Sequence, residues 1–342
     1  MKVSVLDIAQ KAGVSPATVS RVLHGGHGVS KEKVDAVRRV LDASKAMPRM
    51  RNSGTQNPRR SVALLMLEPD HLHSSSIDLY RTILQLENAL RARKIELLFS
   101  VVNDKSGLPR SVMEGRVEGL LLAGRTYPPR YKASIEALPG VWLTSHREGE
   151  GDISLAGNED IGRMAAEYFL GRGHKALAYL QIPQEHPVHA TRCEFFEFTA
   201  TRNGATVARF SEKMPEFSSD EFANWQALYA RVHEQIGVLV KKSPMPTGIF
   251  VPLGMLTGLV YRALVAHGKV PGRDVEVLCC DQTMPMLSAL SPRPASIRVD
   301  TAAIAQRAVE ELLARLDNKN APSKSVRILI EPQLHPGEAV AR

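Results

Sequence analysis

The sequence predicts an all-α helix-turn-helix headpiece joined to an α/β body of two similar lobes, each a doubly wound parallel sheet. Three observations carry this. The first sixty residues hold 12 Lys and Arg against 4 Asp and Glu, a net charge of +8, which is the excess of the whole 342-residue chain. Within those sixty, apolar residues recur at helical spacing in three short runs separated by glycine-containing turns. Beyond them, strand-like and helix-like segments alternate to the end, the pattern of parallel sheets wound by helices.

Taken in order, Ser4 and Asp7 read as a capping box ahead of Leu6, Ile8, Ala9 and Ala12, the apolar face of a first helix. Gly13 stands where a sharp turn needs positive φ. Ser15 reads as the N-cap of a second helix and Pro16 as its first residue, where a missing amide costs nothing. Val19, Val22 and Leu23 then face inward. A Gly-rich loop from His24 to Gly28 ends this helix, and Ser30 caps a third, whose Val34, Val37, Val40 and Leu41 share one face. This is the helix-turn-helix layout, and its local charge points to a polyanion as partner. The outward positions of the second helix are Pro16, Ala17, Thr18, Ser20, Arg21 and His24. Small residues near its start permit close approach to DNA. Arg21 can offer a fork to a guanine edge, while Thr18 and Ser20 suit phosphate oxygens. On pattern alone, a three-helix protein-interaction module is the alternative.

The run Leu6-Asp7-Ile8-Ala9-Gln10-Lys11-Ala12-Gly13-Val14-Ser15-Pro16-Ala17-Thr18-Val19-Ser20-Arg21-Val22-Leu23 resembles the headpiece of the lactose-repressor (LacI/GalR) family. The resemblance implies a homodimer on a double-stranded DNA operator, with the second helix in the major groove and a hinge helix in the minor groove. It places DNA contacts on Leu6, Ser15, Pro16, Ala17, Thr18, Ser20, Arg21 and His24. The family follows its third helix with a Tyr-x-Pro-Asn-x-x-Ala-Arg-x-Leu segment. Here that run is Ala46-Met47-Pro48-Arg49-Met50-Arg51-Asn52-Ser53-Gly54-Thr55. The Pro is kept, Thr55 replaces the wedge Leu, and Asn52 and Gly54 weaken a helix. Two readings stand. Arg49, Arg51, Arg59 and Arg60 track phosphates along a flexible linker, or a shifted hinge helix uses Met50 as its apolar wedge.

The domains expected are a headpiece over residues 1–47, a linker over 48–60 and an effector-binding body over 61–342. In the body, strands are expected at 61–66, 95–102, 117–123, 141–144, 175–180, 205–210, 248–251 and 275–280. Helices are expected near 77–93, 160–170, 192–203, 221–241, 255–267 and 301–316. The body is long for one sheet, so two lobes are expected.

The segments Val117-Glu118-Gly119-Leu120-Leu121-Leu122, Gly171-Arg172-Gly173-His174-Lys175-Ala176 and Val275-Glu276-Val277-Leu278-Cys279-Cys280-Asp281 resemble landmarks of the same family's sensor. That sensor is periplasmic-binding-protein-like, two lobes with a ligand between them. The resemblance implies three chain crossings, near 154–158, 290–297 and 323–327. The N-lobe would hold 61–157 and 296–324, and the C-lobe 158–295 and 325–342. It also implies that Arg192 forks onto ligand oxygens, that Asp281 accepts from ligand hydroxyls, and that Asn158 stands near a family Asp. Trp225 could stack on a sugar face or belong to the core. Ser76 lies where the family often has aromatics. Leu253-Gly254 replaces a usual Asn-Asp and Phe195 a usual Gly, so the effector, a sugar or related metabolite, meets a pocket with fewer polar groups.

Other classes fit poorly. No run of about 18 apolar residues suggests a membrane span, and residues 1–9 lack the pattern of an export leader. Cys193, Cys279 and Cys280 make neither a disulfide framework nor a metal set, which suits a reducing cytoplasm. Gly171-x-Gly173-x-x-Ala176 matches a dinucleotide fingerprint, but it follows a helix and precedes a strand, the reverse of the required context. There is no nucleophile elbow or P-loop. His71 with His73, and His186 with His189, lack further ligands at useful spacing. Neither catalysis, cofactor nor metal is expected. A free solute-binding protein of a transport system is the alternative, but it would have an export signal and no basic headpiece. The expectation is a cytoplasmic, effector-controlled transcriptional regulator, a repressor.

Overall fold

The computed structural model describes residues 5–23, 29–44, 60–67, 77–103, 105–124, 127, 129–143, 151–181, 187–211, 220–280, 284–318 and 325–339. The chain divides into two units, Met1–Pro58 and Arg59–Arg342.

The first unit contains α1 (Val5–Ala12), α2 (Pro16–Leu23) and α3 (Lys31–Ser44). Ile8, Ala9, Val19 and Val37 are buried at its centre, with Ala12, Val14, Val22 and Val40 packed around them. Except for Val14, which lies in the turn, these are positions that helical periodicity selects. Gly13 adopts φ +64°, and the chain turns so that the Val14 amide donates to the Ala9 carbonyl at 3.0 Å. Only glycine takes that φ without a steric cost. Ser15 is the expected N-cap: its Oγ accepts from the Thr18 amide at 3.1 Å. The expected linker falls outside the described residues except for Arg60, which donates from Nε to Glu118 at 2.7 Å and ties the start of the body to the first lobe.

The second unit carries two six-stranded sheets. In chain order its strands are β1 (Ser61–Leu67), β2 (Glu96–Val102), β3 (Gly119–Gly124), β4 (Gly140–Leu143), β5 (Asp152–Ala156), β6 (Ala176–Gln181), β7 (Thr206–Ser211), β8 (Gly248–Val251), β9 (Glu276–Cys280), β10 (Ala295–Arg298), β11 (Arg327–Ile330) and β12 (Gln333–His335). Its helices are α4 (Ile77–Arg91), α5 (Arg110–Met113), α6 (Lys132–Glu136), α7 (Asn158–Gly171), α8 (Pro187–Arg202), α9 (Glu221–Leu239), α10 (Thr257–Ala266), α11 (Met284–Leu287) and α12 (Thr301–Asp317). The first sheet runs β2-β1-β3-β4-β5-β11 and the second β7-β6-β8-β9-β10-β12. All pairings are parallel except β10 with β12. The same order appears twice, so the lobes are topological copies, as expected. Strand β1 is buried at every position, which is why its sequence is a continuous apolar run rather than an alternating one.

Two expected crossings move. The chain crosses between β5 and α7, within the expected 154–158. Residues 295–298, however, form β10 of the second sheet, and 327–330 form β11 of the first. The remaining crossings therefore fall at Val299–Asp300 and Glu331–Pro332, a few residues later than the sequence suggested. Helix α12 packs on β3, β4 and β5 of the first lobe. Strands of three or four residues carry too little periodicity to stand out from connectors; only the ladder beside them decides. A further tie sits near the return into β11, where Asp152 accepts from the Arg315 guanidinium at 2.8 Å and from the Val326 amide at 2.7 Å.

One core runs from the first sheet, through α7 and α8, to the facing side of the second sheet. A separate core fills the other side of the second sheet beneath α9 and α10. Among the described residues no helix is long and apolar enough to cross a membrane.

Candidate effector cleft and DNA-reading surface

In the second sheet β6 leads into α8 on one face, while its neighbour β8 leads into α10 on the other. The strand order reverses between them. Their carboxyl ends therefore flank a topological switch point, where open α/β sheets place ligands.

Arg192 lies there, in the second turn of α8, because α8 starts at Pro187 rather than at Arg192 itself. It is 8% exposed. Its Nε donates to Asn158 Oδ1 at 3.0 Å, and its Nη1 donates to the Pro252 carbonyl at 2.9 Å. Asn158 is the buried first residue of α7, and Pro252 directly follows β8. Three segments distant in sequence thus meet on one guanidinium. Two sequence-predicted residues, Arg192 and Asn158, are brought into direct contact.

The scaffold beneath is rigid. Tyr179 of β6 donates its hydroxyl to the His189 carbonyl at 2.9 Å, fixing the first turn of α8 to the strand. Its ring, with Phe196 and Phe250, forms a buried aromatic trio with centroids 5.4 to 5.9 Å apart. Burial pushes the Tyr179 phenol well above its ordinary pKa, so it stays neutral.

Sequence reasoning missed two members of this edge. One is the Pro252 carbonyl. The other is Thr257, the first residue of α10, which is fully buried with no hydrogen-bond partner for its hydroxyl among the described residues. Both lie in the Val251-to-Thr257 segment, where departure from the family was the available signal. Trp225 of α9 packs, half-buried, against the core on the opposite face of the second sheet. Ser76 and Asp281 lie outside the described residues.

At the other end of the second sheet, the Gly171-to-His174 motif has a structural role. Gly173 takes φ +85° to end α7. Arg172 Nε and His174 Nε2 each lie 2.8 Å from Glu276 Oε2, and Tyr168 donates its hydroxyl to Oε1 at 2.6 Å. This cluster ties α7 to β9. The resemblance to a dinucleotide fingerprint comes from this helix-ending turn. Among the described residues no cluster of His, Cys, Asp and Glu could hold a metal ion.

On the headpiece, Pro16 and Ala17 are exposed. The Thr18 hydroxyl lies 2.9 Å from Ser15 Oγ, so it takes part in the cap network. Positions 17 and 21 share the face of α2 opposite Val19 and Val22. The side chains of Leu6, Ser20 and Arg21 lie outside the described structure, as do residues His24, Arg49, Met50 and Arg51.

Residues 4–45 match the family of bacterial regulatory proteins, lacI family, and residues 166–340 match the periplasmic binding protein-like domain. The HTH-type transcriptional regulator GntR of Pseudomonas aeruginosa is 28% identical over 326 residues, 92% of this chain and 89% of that protein. The lactose operon repressor of Escherichia coli is 25% identical, over 91% of this chain and 84% of its own. Among solved structures, the transcriptional regulator CelR–cellobiose complex superposes with a TM-score of 0.65 at 20% identity, covering 98% of this chain and 99% of that one. The lac repressor dimer bound to operator and the anti-inducer ONPF gives 0.66 at 19% identity, covering 98% of each.

Proposed function

The chain belongs to the lacI family of bacterial regulatory proteins and is a DNA-binding transcriptional regulator, and on that premise we propose that it is a dimeric repressor whose grip on its operator is set by a small molecule at the Arg192–Asn158 edge. The single observation that carries the effector half is the contact between Arg192 and Asn158 at the switch point of the second sheet. A buried guanidinium held by a neighbouring helix is a preorganised fork for ligand oxygens.

Operator reading falls to α2. Arg21 would take a guanine edge, Pro16 and Ala17 would allow close approach, and Leu6, Ser15, Thr18, Ser20 and His24 would complete the contacts to DNA. Arg49, Met50 and Arg51 would extend them along the linker. Dimer half-sites lie about one helical turn apart. Ligand would act by binding one arrangement of the lobes better than the other, which moves the population able to hold DNA. A second copy of this chain suits the exposed apolar side chains Tyr80 and Leu84 of α4 and Phe99 and Val101, which share one face of edge strand β2. Exposed apolar side chains gathered at a sheet edge mark an interface, and a solved relative is a dimer on operator.

The test is fluorescence anisotropy on the DNA upstream of its own gene, across a salt series. Affinity is expected to fall with a log-log slope near −0.9 per phosphate neutralised. Arg21→Ala is expected to lose about 1–3 kcal/mol of discrimination at one base pair. A slope near zero, or undiminished selectivity in the variant, would remove this reading.

A further inference from the structure

Arg60 is the one linker arginine among the described residues, and its surroundings are acidic. Its Nε donates to Glu118 Oε2 at 2.7 Å, and its Nη2 donates to Asp317 Oδ1 at 3.4 Å. Glu118 lies just ahead of β3, and Asp317 is the last residue of α12. The guanidinium thus sits beside two carboxylates and at the negative end of a helix dipole. A DNA phosphate brought to Arg60 would meet the same two negative charges. The sequence offered Arg60 as a residue that tracks phosphates; in the fold its counter-charge comes from the body instead.

The backbone is held at the same point. The Glu96 amide donates to the Arg60 carbonyl at 2.9 Å, and the Glu118 amide donates to the Ser61 carbonyl at 2.9 Å. The Ser61 hydroxyl donates to the Arg116 carbonyl at 2.8 Å. Among the described residues, the bond from Glu96 to Arg60 is the outermost between β1 and β2. Hydrogen bonds at the end of an element open most readily. A side chain bonded across to the start of β3 and the end of α12 keeps this one closed. Each residue freed here lengthens the tether of a headpiece by up to about 3.3–3.6 Å. That is close to the rise of DNA, about 3.4 Å per base pair. A foot that opens by about one residue in each protomer therefore blurs the distance between paired half-sites by about one base pair or more.

We propose that Arg60 is a positioning residue for operator binding. Paired with Glu118 and Asp317, it fixes the point where the linker enters the body and so sharpens the half-site spacing that the dimer accepts, without itself neutralising a phosphate. The proposal rests on the reading of the protein as a dimer on two half-sites.

The experiment uses the full chain and a duplex that the wild type selects from random sequence. The duplex is taken at its selected spacing, with a base pair inserted or removed at its centre, and as one half-site alone. The proteins are the wild type, Arg60→Gln and Glu118→Gln. The side chains of Arg60 and Glu118 are 39% and 43% exposed, so both variants fold. In both, amide exchange at Glu96 is expected to run several-fold faster than in the wild type. Both are expected to lose about two- to fivefold of the preference for the selected spacing over the altered ones, the range open to an exposed ion pair. On the half-site alone, Arg60→Gln is expected to keep the salt slope of the wild type. A slope shallower by about 0.9 in that variant assigns a phosphate to Arg60 and overturns the proposal. An unchanged spacing preference in both variants overturns it while the dimer stands. A wild type that holds the paired duplex no more tightly than the half-site removes the dimer reading, and the proposal with it.

Discussion

The backbone of Gly162 on α7 approaches α8 so closely that a Cβ there would lie 2.4 Å from the Arg192 carbonyl oxygen and 2.9 Å from the Phe195 Cβ. This approach seats α8 against α7 and so sets the height of Arg192 beside Asn158. Gly162→Ala must push the helices apart. It is expected to cost about 1–3 kcal/mol of stability in urea denaturation and to weaken effector binding by moving Arg192 off its two acceptors. Gly171→Ala, where a Cβ would meet nothing within 4 Å, serves as the control. Wild-type stability and ligand response in Gly162→Ala would show that the approach does not position the site.

A second expectation concerns acid. Burial alone pushes the Glu276 carboxyl up, but hydrogen bonds from His174, Arg172 and Tyr168, with the charge of Arg172, outweigh it and hold its pKa at about 2. A folded-state pKa below the unfolded one gives stability that is fully present above about pH 4.5 and is lost as pH falls toward 2. The size is on the order of 3 kcal/mol for this mostly buried group. Urea unfolding as a function of pH checks it: Glu276→Gln should be less stable at neutral pH and show a shallower decline in that acid window. An unchanged decline would place the acid sensitivity elsewhere.

The Ser15 cap gives a third test, confined to the headpiece. Its Oγ satisfies the Thr18 amide, one of the otherwise unbonded donors at the start of α2. Ser15→Ala is expected to cost about 1 kcal/mol. Amide hydrogen exchange should then speed up several-fold in α2 and leave β1 and β6 unchanged. Uniform acceleration across the chain would show that the effect is not confined to the cap of α2.

The fourth concerns assembly. Phe99→Glu, or Leu84→Glu, places a charge within the apolar face of β2 and α4. Sedimentation is expected to show a monomer, and operator affinity is expected to fall at least about tenfold, because a single headpiece holds only one half-site. A stable dimer in both variants would assign the second copy to a different surface.

Much of this was legible before any coordinates. The cap at Ser15, the positive φ at Gly13 and the inward Val19 and Val22 are local matters, settled within a few residues of chain. The doubly wound lobes follow from long runs such as β1 and α12. Arg192 and Asn158 could be nominated separately, yet nothing in the sequence says that they touch. Trp225, for which the sequence left a stacking or a core role open, packs half-buried against the second core.

The sequence by itself determined the basic three-helix headpiece, the alternation that builds two lobes, and the family to which they point, because each depends on periodicity and charge that neighbouring residues share. Only the tertiary structure decided that β10 joins the second sheet and β11 the first, and that Asn158 and the Pro252 carbonyl both accept from a buried Arg192. Those outcomes depend on which surfaces close over one another. A guanidinium written in a sequence carries no record of how much water or how many carboxylates will surround it once the chain has folded.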